Sequence, residues 1–150
     1  MSRPLHVHTL ARRLPPVRLG AHGVGRAPDL AVAEALIAAR KDGCENCCDQ
    51  LSALVLRGDP VVISHLIAQA WGLWRVSEEG QRPDSVMPIS ARSATVLRHM
   101  MRRDMQTMVD YLDEIGPADL IVLLDDALAV LVPHTDALPR GARQTPRSIA

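Results

Sequence analysis

The chain has 150 residues, enough for one domain with its own core. Hydrophobic residues make up 47% of it and aromatics 2%, with no Phe, so the core must be aliphatic, which suits helix packing. The net charge is zero at pH 7; with no run of 18 apolar residues and no apolar stretch near the start, neither a transmembrane helix nor a secretory leader is expected.

Residues 1–28 carry five arginines and no acid: Arg3, Arg12, Arg13, Arg18 and Arg26. Pro4, Pro15, Pro16 and Pro28 oppose helix, so this segment reads as an extended basic arm. Leu5 to Leu10 partly alternates and could add as a strand to a partner. A first helix is expected from about Pro28 to Asp42, with Leu30, Ala33, Ile37 and Ala38 inward and Gly43 just past its end. A second follows over Cys44 to Arg57. Its stripe is Cys44, Cys47, Cys48, Leu51, Leu54 and Val55, in helical spacing.

Asp59 and Pro60 open a third helix whose apolar face runs from Ile63 to Trp74. At about 100° per residue, His65 falls almost opposite that face. Residues 76–89 read as a polar loop. A long fourth helix is expected from Ser90 to Ile115, with a near-heptad seam of Leu97, Met101, Met105, Met108, Leu112 and Ile115. It is basic in its first half and acidic in its second, the reverse of what its dipole prefers. A fifth helix, Pro117 to Val132, is apolar nearly all round, which marks a central or interfacial helix. Pro133 stops it. Three segments result: a basic arm (1–28), a helical domain (29–133) and a flexible basic tail (134–150). The fold class is all-α, a single compact bundle of about five helices.

Charge is segregated along the chain. Residues 29–139 hold nine Lys and Arg against all seventeen Asp and Glu, while both ends are purely basic. Basic ends on an acidic body seek an anionic surface.

No motif fixes a reaction. Cys44, Cys47 and Cys48 lie near a helix start, where the dipole favours a thiolate. Zinc would require two more ligands from elsewhere, and no second CxxC or HxxxH supplies them. His65 and His99 are expected on outer faces, and His6, His8 and His22 in the arm. The cysteines therefore read as core packing, and no metal or other cofactor is expected. Asp125 and Asp126 point about 100° apart and share no site. His134 suits the negative end of the preceding helix.

The expected function is non-enzymatic: an interaction or assembly protein that binds neighbouring subunits or a larger complex, such as a viral or phage particle. The partner-binding candidates are the five arm arginines with Arg92, Arg98, Arg102 and Arg103. A nucleic-acid-binding regulator using the arm and the Arg92–Arg103 face is the alternative. A zinc- or thiol-dependent protein using Cys44, Cys47 and Cys48 is a second one. An oligomer without membrane contact is expected, in the cytoplasm or in an assembled particle; an odd cysteine count with no leader suits a reducing compartment.

Overall fold

The computed structural model describes residues 4–15 and 30–138. They form six α-helices and one 3-10 helix, with no strand among the described residues. Helix α1 (Ala31–Lys41) buries Ala33, Leu36, Ile37, Ala38 and Ala39. It ends in a Schellman turn. The N–H of Gly43 donates to the Arg40 carbonyl at 3.1 Å, and that of Cys44 to the Ala39 carbonyl at 3.0 Å. Gly43 has φ 72°, a conformation that glycine adopts without a Cβ clash. The turn delivers Cys44 to the N-cap of α2 (Glu45–Arg57). The first two helices pack together across this three-residue turn.

Helix α3 (Val61–Val76) and helix α6 (Pro117–Leu131) are the packed centre. Ile63, Leu66 and Ile67 of α3 are buried, as are Leu123, Leu124 and Leu128 of α6. The Asp59 carboxylate accepts from the Val61 N–H at 3.0 Å, so the expected start is displaced by one residue. His65 corrects the outward assignment: it is fully buried. Helix α3 packs against both α6 and α4, so the side opposite its main stripe also faces protein.

The single long fourth helix is two. Helix α4 (Ala91–Met101) and helix α5 (Met105–Glu114) are separated by Arg102, Arg103 and Asp104. Arg103 has φ 57°, and the Asp104 side chain caps α5 by accepting from the Thr107 N–H at 3.2 Å. The seam breaks there: Met108 is buried while Met101 is 62% exposed. The split also resolves part of the charge reversal. Arg98 and His99 lie in the last turn of α4 and Asp104 caps α5, which are the preferred ends for those charges.

Helix α6 ends before Pro133, but the chain continues as a 3-10 helix, Val132–Ala137. Residues 134–138 are therefore part of the body and not of the tail. Thr135 and Leu138 are buried there, and His134 Nδ1 lies 2.7 Å from the Val130 carbonyl at the end of α6. Residues 4–15 have no helix and lie as a strap on the bundle. Leu14 is buried in the core and Leu10 packs against it. The Arg12 side chain donates to the Leu138 carbonyl at 3.1 Å, and Gln69 Nε2 to the Pro15 carbonyl at 2.8 Å. No single described helix is long and apolar enough to cross a membrane; the bent pair α2 and α3 meets the length and composition by itself but is folded at 115°.

Candidate metal centre

The strap places two imidazoles beside the start of α2. Ligand atoms of His6, His8, Cys44 and Cys47 all lie within 4.8 Å of one another. Local geometry explains the pairing on each side. Residues two apart on an extended strap point the same way, so His6 and His8 share a face. Residues three apart at a helix start do likewise, so Cys44 and Cys47 share one. The His6 and His8 rings stand edge to face with centroids 6.0 Å apart.

Each contact suits a bound cation. Cys44 Sγ lies 3.5 Å from His6 Nδ1. A tetrahedral zinc ion with sulfur and nitrogen ligands requires ligand–ligand edges of about 3.3–3.8 Å. The backbone N–H of His6 donates to Cys47 Sγ at 3.2 Å, a contact that stabilises thiolate charge. His8 Nδ1–H donates to the Asp42 carboxylate at 2.8 Å. That bond leaves the lone pair on Nε2, which is buried and has no hydrogen-bond partner among the described residues. A histidine oriented by a carboxylate through one nitrogen, with its other nitrogen free, is the arrangement of a metal ligand with its supporting shell.

The electrostatics differs from ligand to ligand. The Asp42 bond and the neighbouring Cys44 raise the pKa of His8. Hydrogen bonds from the Cys47 backbone and side chain, and from His6, lower Cys44 to about 6. For Cys47 the His6 N–H lowers the pKa, but burial and the adjacent Cys44 outweigh it and leave the thiol raised. One thiol is thus ready to bind as thiolate, and the other becomes so when a cation replaces its proton. Cys48 is half-buried outside the cluster, its pKa raised by burial.

Four protein ligands of the Cys2His2 type match zinc and leave no open position for substrate. Cys47 lies in the core and Cys44 and Cys48 pack against it, as expected; what changes is the expectation that no second ligand pair lies near them. The pair is His6-x-His8, 38 residues before Cys44 in the case of His6. The H-x-H spacing in the strap, set against C-x-x-C, was the available signal.

Comparison with protein-family models, with curated proteins and with solved structures finds no match.

The partner-binding arginines are dispersed. Arg12 is spent on Leu138 and Arg13 is exposed. Arg92 pairs with Asp119 at 3.2 Å and donates to the Tyr111 hydroxyl at 3.3 Å. Arg98, Arg102 and Arg103 are exposed, with no ion pair among the described residues. Arg3, Arg18 and Arg26 lie outside the described residues. Asp125 pairs with Arg40 at 2.9 Å, within one chain. Asp126 Oδ2 accepts from the Ser90 N–H at 2.9 Å and the Ser93 hydroxyl at 2.6 Å, tying α6 to the start of α4.

Proposed function

We propose that this chain is a non-enzymatic helical interaction protein in which a structural Cys2His2 zinc centre fastens the N-terminal strap to the bundle. The observation that carries the metal part is the convergence of His6, His8, Cys44 and Cys47 ligand atoms within 4.8 Å. A closed ligand set argues for a structural ion over a catalytic one. The orphaned His8 Nε2 and the carboxylate behind its other nitrogen support it. Charge segregation along the chain supports an interaction role, with protein subunits as the partners.

The test is metal content. The purified full chain is expected to hold one zinc per chain, and cobalt substitution to give the intense visible bands of a tetrahedral thiolate site. Loss of binding in His6→Ala and in Cys47→Ser, with retention in Cys48→Ser, completes the assignment. A chain that takes up neither ion defeats it.

A nucleic-acid role keeps one specific support, the exposed arginines Arg98, Arg102 and Arg103 at the α4–α5 turn, which have no ion pair among the described residues. Mass in solution with duplex DNA at low and high salt separates it from protein assembly, because phosphate binding weakens steeply with salt. An oligomer formed without DNA supports the protein-partner reading.

A further inference from the structure

We propose that the metal centre is an oxidant-released clasp. The inference rests on the zinc reading above and adds the regulation of that site.

The ligands divide unevenly between the two parts they join. Both sulfurs, Cys44 and Cys47, belong to the first turn of α2 on the body. Both imidazoles, His6 and His8, belong to the strap. Oxidation acts on the sulfur pair alone. A disulfide between Cys44 and Cys47 would join two body ligands to each other, and neither sulfur could then bind the ion as a thiolate. The strap would keep only its two imidazoles, which are too few to hold zinc by themselves. One covalent event thus removes the metal link between strap and body.

The geometry favours this pair. Cys44 and Cys47 occupy the N-cap and third position of α2, with their sulfurs inside the cluster. Cys44 is half-buried, so an oxidant reaches it, and Cys47 is buried behind it as the resolving thiol. The oxidant is a peroxide. Cys44 thiolate attacks one peroxide oxygen, the O–O bond breaks, and hydroxide leaves to take up a proton as water. Cys47 thiolate then attacks the Cys44 sulfenic acid, the S–O bond breaks, and a second water leaves after protonation. The two thiolates lose two electrons, the peroxide gains them, two protons are consumed, and the zinc ion departs with its charge unchanged.

Release matters because little else fixes the strap. Beyond the centre it is held by Leu14 in the core, by Leu10 against it, and by hydrogen bonds at His8, Arg12 and Pro15. Release would free the Leu138 carbonyl from Arg12 and withdraw Leu14 from the core.

The experiment uses the zinc-loaded full chain with hydrogen peroxide. Three quantities are followed: zinc captured by a chromogenic chelator, disulfides mapped by mass spectrometry, and tryptic cleavage after Arg13, which the burial of Leu14 protects. Zinc and a Cys44–Cys47 disulfide are expected to appear together, one for one. Cleavage after Arg13 is expected to rise roughly tenfold or more as the strap opens. Dithiothreitol with added zinc should reverse all three, and Cys48→Ser should behave as the parent. Zinc retained under peroxide, a disulfide that requires Cys48, or unchanged cleavage after zinc has left would overturn the inference while the zinc reading stands. A chain that takes up neither zinc nor cobalt before peroxide is added defeats the zinc reading, and the clasp with it.

Discussion

Asp42 ends α1 and orients His8, and both tasks depend on where the Schellman turn leaves it. Replacing it by Ala removes the acceptor that fixes the His8 tautomer. Zinc affinity should fall about 10–100-fold in Asp42→Ala, measured by competition with a chromophoric chelator. Asp42→Asn, whose amide oxygen still accepts, should lose less. His65 is the other informative residue. Both its nitrogens are buried without a partner among the described residues, and burial lowers its pKa below the ordinary 6.5. Above pH 6.5 the imidazole is neutral whether the chain is folded or not. Below it the unfolded chain binds a proton first, so stability falls with pH, by at most about 1.4 kcal/mol per pH unit, until the lowered folded value is passed. His65→Leu should remove that slope. Urea unfolding of both forms in the presence of chelator, at about pH 7.5 and 5.5, checks it. The burial of His65 was legible only in part. The sequence around it, Val61 to Trp74, is apolar on more than one side, but a single-stripe reading places a polar residue outward.

The α4–α5 break belongs to the element scale. The apolar seam from Leu97 to Ile115 keeps helical spacing across it, which hides the junction. The signal was Asp104 three residues before Thr107, an N-cap in mid-pattern. Arg103 sits in the left-handed region, where a side chain costs about 1–2 kcal/mol. Arg103→Gly should therefore stabilise the fold by about 0.5–1 kcal/mol, and Asp104→Ala should destabilise it by about 1 kcal/mol, both read from denaturant midpoints. The opposite signs at adjacent positions distinguish a true break from a kinked continuous helix, in which glycine would be the harmful change. By contrast the α1–α2 junction was legible, because Gly43 is the left-handed residue the turn requires.

At the scale of the molecule, the proposed zinc centre would fasten a strap otherwise held by Leu14, Leu10 and a few hydrogen bonds. Chelation should lower the melting temperature by roughly 10 °C. That follows from about 4 kcal/mol of linkage for a tightly bound ion and about 2–4 °C per kcal/mol at this chain length. Helical circular dichroism at room temperature should survive, because the α3–α6 core has no ligand in it. Collapse to an unfolded chain on chelation would instead mean that the ion organises the whole bundle.

Helical class, aliphatic core, the helix start at Ser90 and the end of α6 before Pro133 follow from periodicity and capping chemistry, which act within one or two turns of chain. The metal cluster does not. His6 and His8 read as parts of a loose arm, and the cysteines read as one helix stripe, until the strap lies across the start of α2. Local pattern says which residues share a face; it carries no information on which faces meet across 38 residues. That meeting depends on Leu14 finding the core, on the Asp42 turn aiming at His8, and on chain entropy being offset by those contacts together, which is a property of the folded whole.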